Sequence, residues 1–370
     1  MFRPAGPLLL AGVVLGGLGV AAPFARAGLY SPDESTPFKV GPSGAAEELS
    51  FGSQFDGLFP LRFTALANAA DDNPARPDNP DRRAVLARIA ARKAAPGPAK
   101  PADLAALAAD LLRVGRPDEA LNLLAPRSRD RVPDFRVLAN LAHVHARREE
   151  WGEAIRVHQA AVLDADMPDD LAGTTPDQRK WLKRVERVYY AKWLRAHRDR
   201  AAAPAAVDRE DVFPLFDATF VNDLGKYEPG KLSAVERAKL PPDAIAVVQQ
   251  LLLWAPWDTG LYWLLGELYA AAGRLREADT IFNQCAFGRQ YTNRAIFMAH
   301  RSAVREAVTK LPPEVTVEAA LADTPPLPTT DPDANLPSRG KVIAGAAVFA
   351  LVAVVFLGLQ IRSVVRRWRR

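Results

Sequence analysis

One cysteine, Cys285, stands in 370 residues. No disulfide can form within the chain, so stability has to come from packing. Cys285 itself falls on the apolar side of an expected helix, a poor setting for a nucleophile. The short patterns that carry chemistry are missing as well: there is no glycine-rich phosphate loop, no G-x-S-x-G, no HExxH and no kinase set. Carboxylates are plentiful, but nothing pairs two of them for acid–base work. The expectation is a chain that is not an enzyme and that holds no cofactor and no metal. Acid is absent from both ends. Residues 1–27 carry Arg3 and Arg26, residues 341–370 carry Lys341, Arg362, Arg366, Arg367, Arg369 and Arg370, and neither stretch has an Asp or Glu. With those eight set aside, 40 basic residues face 43 acidic ones. The net charge of +5 therefore belongs to the flanks of apolar segments and does not describe a nucleic-acid surface.

The ends read as membrane-directed. Arg3 precedes an apolar run over 8–22, followed by Pro23-Phe24-Ala25-Arg26-Ala27. That is the charged start, short apolar core and A-x-A pattern of a secretory signal, with cutting expected after Ala27. The alternative, a retained anchor, has a core of about 15 residues with four glycines, short of the ~20 that a comfortable span needs. Residues 342–361 are different. Gln360 is their only polar side chain, and at 1.5 Å per residue they cover about 30 Å, the thickness of a hydrocarbon core. The five arginines that follow hold the tail 362–370 on the cytoplasmic side, and Trp368 suits the interface. A single-pass protein with its N-terminal part exported, periplasmic or otherwise extracytoplasmic, is the expected topology. Ala346 and Ala350 leave room for two such spans to approach, which allows self-association.

Between the ends the composition changes several times. Residues 28–79 are rich in Pro, Gly, Ser, Asp and Asn and lack helical periodicity. Phe51, Phe55, Phe59 and Phe63 recur every four residues, but Gly52, Gly57 and Pro60 break any helix, so these rings are expected to cap the helical body. Asn79-Pro80-Asp81 opens a helix to residue 95. Thr175-Pro176-Asp177-Gln178 is a capping box with proline at the first helical position; it starts a long helix to about residue 200, with Trp181, Val185, Val188 and Tyr189 on its packing face. Residues 201–241 read as an insertion, with 212–216 tucked against the body and Ser233 opening a short helix. A last helix is expected over 292–308, and the prolines of 311–340 make an extended tether.

From residue 101 an internal repeat emerges. Leu104-x2-Leu107-Ala108-x2-Leu111 is followed by Ala120-x3-Leu124. Thirty-four residues on, Leu138-x2-Leu141-Ala142-x2-His145 is followed by Ala154-x3-His158, and later Tyr262-x2-Leu265-Gly266-x2-Tyr269 by Ala278-x3-Phe282. Each unit reads as two helices with a small residue at the crossing, and Gly115 or Gly273 turning the chain between them. This resembles the tetratricopeptide repeat, W-x2-L-G-x2-Y…A-x3-F, which the third copy follows most closely. Residues 243–253 look like the second helix of a degenerate copy. The expected fold class is all-α: a helical solenoid of tetratricopeptide type over 80–310, with an irregular N-terminal segment and one C-terminal transmembrane helix.

Three histidines, His143, His145 and His158, lie close in sequence. His143 and His145 are two apart and point to opposite sides of a helix, while His145 and His158 fill places where the repeat family packs aromatics. Packing, not metal binding, is the expectation. His197 and His300 have no acidic or cysteine partner at ligand spacing. The basic run Arg179, Lys180, Lys183, Arg184, Arg187, Lys192, Arg195 and Arg198 reads as a solvated face. The resemblance implies a partner-binding groove on the first helix of each pair, lined by Arg113, Arg136, His143, Arg147, Trp263 and Glu267. Such a mildly basic groove suits an acidic or C-terminal peptide. The Lys and Asn set with which some family members clamp a peptide carboxylate is missing. The function expected is a membrane-anchored scaffold or interaction module with a protein or peptide partner. Its rivals are a structural component of envelope assembly and an accessory subunit that binds glycan or anionic lipid.

Overall fold

Proline and glycine punctuate the helices. Pro101, Pro117 and Pro176 each occupy a first helical turn, where the missing N–H would have no partner in any case. The computed structural model describes residues 29–31, 36–51, 80–96, 99–169, 171, 173–202, 212–288, 291 and 293–312. The signal segment expected at 1–27, most of the tether and the span expected at 342–361 lie outside them. Among the described residues no helix is long and apolar enough to cross a membrane.

The described part is all-helical, with one isolated antiparallel bridge between Val40 and Ala46. In chain order the helices are α1 (Pro80–Ala94), α2 (Pro101–Arg113), α3 (Pro117–Leu124), α4 (Phe135–Arg147), α5 (Trp151–Leu163) and α6 (Pro176–Arg184). A π-helical stretch (Val185–Tyr190) leads straight into α7 (Ala191–Ala202). Then come α8 (Ala234–Arg237), α9 (Ala244–Trp254), α10 (Thr259–Ala271), α11 (Leu275–Gly288) and α12 (Arg294–Thr309). Neighbours stack in sequence. α1 packs on α2, α2 and α3 on α4, α5 on α7, α9 on the π stretch and on α10, and α11 on α12. The continuous helix 176–202 thus follows α5 as the first helix of a third unit. Residues 203–243 are inserted before its second helix, α9.

Three pairs, α2/α3, α4/α5 and α10/α11, share one turn geometry. The amides of Arg116, Glu150 and Arg274 each donate to the carbonyl five residues back, on Leu111, His145 and Tyr269, at 2.9 Å in all three. This closure requires a left-handed residue just before the donor. Gly115 (φ 78°) and Gly273 (φ 77°) supply it without strain, whereas the second pair uses Glu149 at φ 61°. Inside each pair a small residue lets the helices meet. Ala108, Ala142, Ala120, Ala154 and Ala278 are fully buried. At Gly266 a β-carbon would come within 2.8 Å of the Phe282 ring.

The π stretch changes the face expected for the long helix. Trp181 and Val185 are buried, but Val188 is half exposed and the interior continues with Glu186, Tyr190, Trp193 and Leu194. A π turn holds about one extra residue, so every position after it rotates away from the 3.6-residue register. Residues 212–216 do tuck in: Phe213, Leu215 and Phe216 are buried. Ser233 caps α8, its side chain accepting from the Glu236 amide.

Candidate interaction groove

A strap, residues 29–31 and 36–51, turned back on itself over 41–45, lies against α4, α6, the π stretch, α9 and α10. Side-chain amides hold its main chain. Asn140 on α4 accepts from the Tyr30 N–H and donates to the Tyr30 carbonyl, both at 3.1 Å, and also donates to the Ala105 carbonyl of α2 at 3.1 Å. Gln249 on α9 does the same at the other end, accepting from the Leu49 N–H at 2.9 Å and donating to the Leu49 carbonyl at 3.0 Å. Between them Gln178 donates to the Phe38 carbonyl at 2.7 Å, and the Ala46 amide donates to Asp243 at 3.2 Å. A fork that binds one residue's N–H and C=O together is indifferent to the side chain it holds. Selectivity comes from the apolar side chains seated between these forks. Tyr30 packs edge-on against Phe135 (5.0 Å between ring centres) and beside Trp254, Phe38 against Trp181, and Phe51 edge-on against Tyr269.

Beneath Tyr30 lies a buried polar cluster. Its hydroxyl donates to Glu186 at 2.5 Å, and His158 Nε2 donates to the other carboxylate oxygen at 2.9 Å. Burial alone would push the Glu186 carboxyl up; the His158 bond and charge, His143 and the Tyr30 bond outweigh it and hold the carboxyl below its usual range. Burial pushes His143 down to about 4 and Tyr30 and Tyr190 well up. The void bordering Glu186 is only about 20 Å³, room for about one water and for no substrate. The cluster therefore fastens the strap.

The other buried carboxylates are hubs of the same kind. Asp258 caps α10 through the Leu261 amide and accepts from Trp193 Nε1 (2.8 Å) and His197 Nε2 (2.6 Å). Burial would raise its pKa, but the His197 bond and charge and the other two donors bring it below the usual range. Glu267 accepts from Trp263 Nε1 and His300 Nδ1, both at 2.7 Å. The absence of acidic partners for His197 and His300 at ligand spacing is thus corrected in three dimensions. Their partners come 61 and 33 residues away, beyond any local spacing. Among the described residues no group of three or more His, Cys, Asp or Glu side chains could hold a metal ion.

Residues 137–170 match the family model of the tetratricopeptide repeat. The chain carries a tetratricopeptide repeat there. No curated protein and no solved structure matches it. The matched tetratricopeptide repeat is the pair α4/α5 with the turn after it, although the family's motif letters are closest in the pair α10/α11. Tetratricopeptide repeats are protein-interaction modules and typically not catalytic. The six residues named for the groove are distributed as follows. Arg113 is buried and donates to the Leu253 carbonyl at 3.0 Å. His143 is buried against Tyr190 and Trp254 and near Tyr30. Trp263 and Glu267 are buried and bonded to each other. Arg136 is half-buried beside Asp134, and Arg147 is half-buried with its guanidinium 4.8 Å from the Trp257 ring centre. The hydrogen bonds to the strap's main chain come from Asn140, Gln178, Asp243 and Gln249. Gln249 and Gln250 interrupt the otherwise apolar α9, and that interruption is the sequence signal that could have found them.

Where the strap leaves Asp243, an open cleft of about 560 Å³ begins. Ala46, Glu47 and Glu48 form one wall, Pro241, Pro242 and Ala271 another, and Arg237 stands among them.

Proposed function

We propose that the chain is a membrane-anchored protein-interaction module that displays its repeat face on the non-cytoplasmic side and reads an extended segment of a protein partner there. The observation that carries this reading is the pair of side-chain forks, Asn140 and Gln249, each bonded to both main-chain groups of one strap residue. A surface that recognises extended main chain in cis has the donors and acceptors to recognise it in trans. In this reading Arg136 and Arg147 belong to the partner-facing rim, while Arg113, His143, Trp263 and Glu267 support it from beneath. Support for the anchor and for export is in the sequence: the apolar run 342–361 with its arginine tail, and the signal pattern of 1–27.

The test is affinity capture of the detergent-solubilised full-length chain with quantitative mass spectrometry, paired with protease treatment of intact spheroplasts. One dominant partner protein, lost on Gln249→Ala, and digestion of everything but the span and the tail are the expected results. Self-association alone would favour a structural component instead, and protection of the repeat region would reverse the topology.

A further inference from the structure

We propose that the 46–51 end of the strap is a displaceable ligand of its own groove, and that the partner displacing it is an extended acidic peptide with two apolar side chains two residues apart. The inference rests on the interaction-module reading and adds which end of the face opens and what enters.

The two ends of the strap are fastened differently. Tyr30 is enclosed by Phe135, His143 and Trp254 and bonded to a buried carboxylate; the void beside it is about 20 Å³. At the other end Ala46, Leu49 and Phe51 are buried, whereas Glu47 and Ser50 are exposed, so one side of the segment lies on the groove and the other faces solvent. Its fastenings are the Gln249 fork, the Ala46–Asp243 bond, the Phe51–Tyr269 ring contact and an ion pair between Glu48 and Arg274. That ion pair is about one-third exposed on both sides, and pairs so exposed add little stability. The 560 Å³ cleft borders this end alone, with residues 46–48 as its wall, so an incoming chain can settle beside the strap before the strap lifts.

Charge and shape define what enters. Arg237 lines the cleft, and Arg274 at its edge pairs with Glu48 through one nitrogen and with Glu277 through the others; an acidic residue on the peptide takes over the Glu48 position as Glu48 leaves. The Gln249 fork accepts any residue's main chain, and the seats vacated by Leu49 and Phe51 call for apolar side chains at i and i+2. Tyr30 precedes this end and is held by its own contacts to Asn140, Glu186 and Phe135, so release of 46–51 leaves the Tyr30 anchor in place. Because the groove is filled in cis, the apparent affinity for a trans peptide is lowered by the fraction of time the strap is seated.

A fluorescein-labelled peptide of residues 44–51 is the probe, titrated by anisotropy into the full-length wild-type chain and its variants. Leu49→Ala, which weakens the strap, should bind the peptide roughly tenfold tighter than wild type. Glu48→Ala touches no core contact and should strengthen binding about twofold, as an exposed pair of that kind allows; it keeps the test decisive if Leu49→Ala folds poorly. Adding Gln249→Ala to either should abolish the gain, and a probe with Ser for Leu49 and Phe51 should not bind. Hydrogen exchange with excess probe on wild type should expose 46–51 and leave 29–31 protected. If both strap variants, folded by circular dichroism, bind no better than wild type, the proposal is overturned. It is equally overturned if the probe binds while 46–51 stays protected; that outcome puts the peptide elsewhere and leaves the interaction-module reading standing.

Discussion

Gln249 holds Leu49 by both ends of one residue, its side-chain oxygen on the N–H and its amide nitrogen on the carbonyl, and the same amide nitrogen lies 2.9 Å from the Tyr269 hydroxyl. Two hundred residues of sequence separate the pair. Gln249→Ala leaves two main-chain groups and a hydroxyl short of a partner in a buried place. At ~1 kcal/mol or more for each unmade buried bond, the expected cost is about 2–4 kcal/mol, read from urea unfolding. A change below ~0.5 kcal/mol would mean that water replaces the fork.

Acid should loosen the molecule at His143. Burial lowers its pKa from the usual 6.5 to about 4, so the folded chain keeps the ring neutral while the unfolded chain protonates it. Stability is complete above about pH 6.5 and declines as pH falls toward 4, by about 3 kcal/mol at most. Arg113, His158 and Glu186 are the charged or titratable groups that act on it. Glu186, held below its usual 4.5, contributes stability present above that value and lost as pH falls through its folded value, in the same direction. Urea midpoints from pH 7.5 to 4 should fall for wild type and fall less for His143→Phe. Equal slopes would remove His143 from the account.

Close approach between α10 and α11 sets the third test. Ala278 is fully buried at the crossing, with Gly266 against the Phe282 ring. Ala278→Leu should destabilise by about 1–3 kcal/mol through overpacking. Ala271→Leu, which borders the cleft, should be nearly neutral. Tyr269→Ala removes a buried ring that also bears Phe51 and Arg274 and should cost roughly 3–5 kcal/mol. Thermal melts rank the three; Ala271→Leu melting below Ala278→Leu would contradict the helix faces.

These faces were legible because the repeat writes them locally. A small residue recurs at a fixed offset in all three pairs and a turn glycine in two of them, and a 34-residue period needs no tertiary information. The strap was not legible in the same way. Its residues 29–31 and 36–51 have no period, since their main chain is bound by four side chains from α4, α6 and α9 with its cap, and Tyr30, Phe38, Leu49 and Phe51 supply the main side-chain signal. The histidine hubs were hidden for a related reason, as His197 and Asp258 stand 61 residues apart and meet only in the folded chain. Arg113, Trp263 and Glu267 fell on the first helices as the family pattern implies, but a repeat pattern does not say that the chain's own segments bury them. The π turn leaves no composition mark, and it moved the packing face from Val188 to Tyr190.

Glu149 offers a substitution in the stabilising direction. It sits at φ 61° where the equivalent turns have Gly115 and Gly273, and a left-handed non-glycine residue costs about 1–2 kcal/mol. Part of the gain is lost to glycine's greater freedom in the unfolded chain. Glu149→Gly should therefore stabilise by about 0.5 kcal/mol, seen as a small rise in Tm, and a clear fall would show that the turn relaxes around glutamate.

Native-state hydrogen exchange on the full-length chain tests the strap most directly. With the strap seated, the Tyr30 and Leu49 amide protons should exchange at least about a thousandfold more slowly than in an unstructured peptide. Asn140→Ala should accelerate Tyr30, and Gln249→Ala should accelerate Leu49, with α4 and α10 still protected. Exchange of both amides at unstructured rates in the wild-type chain, with the helices protected, would contradict the occupied groove.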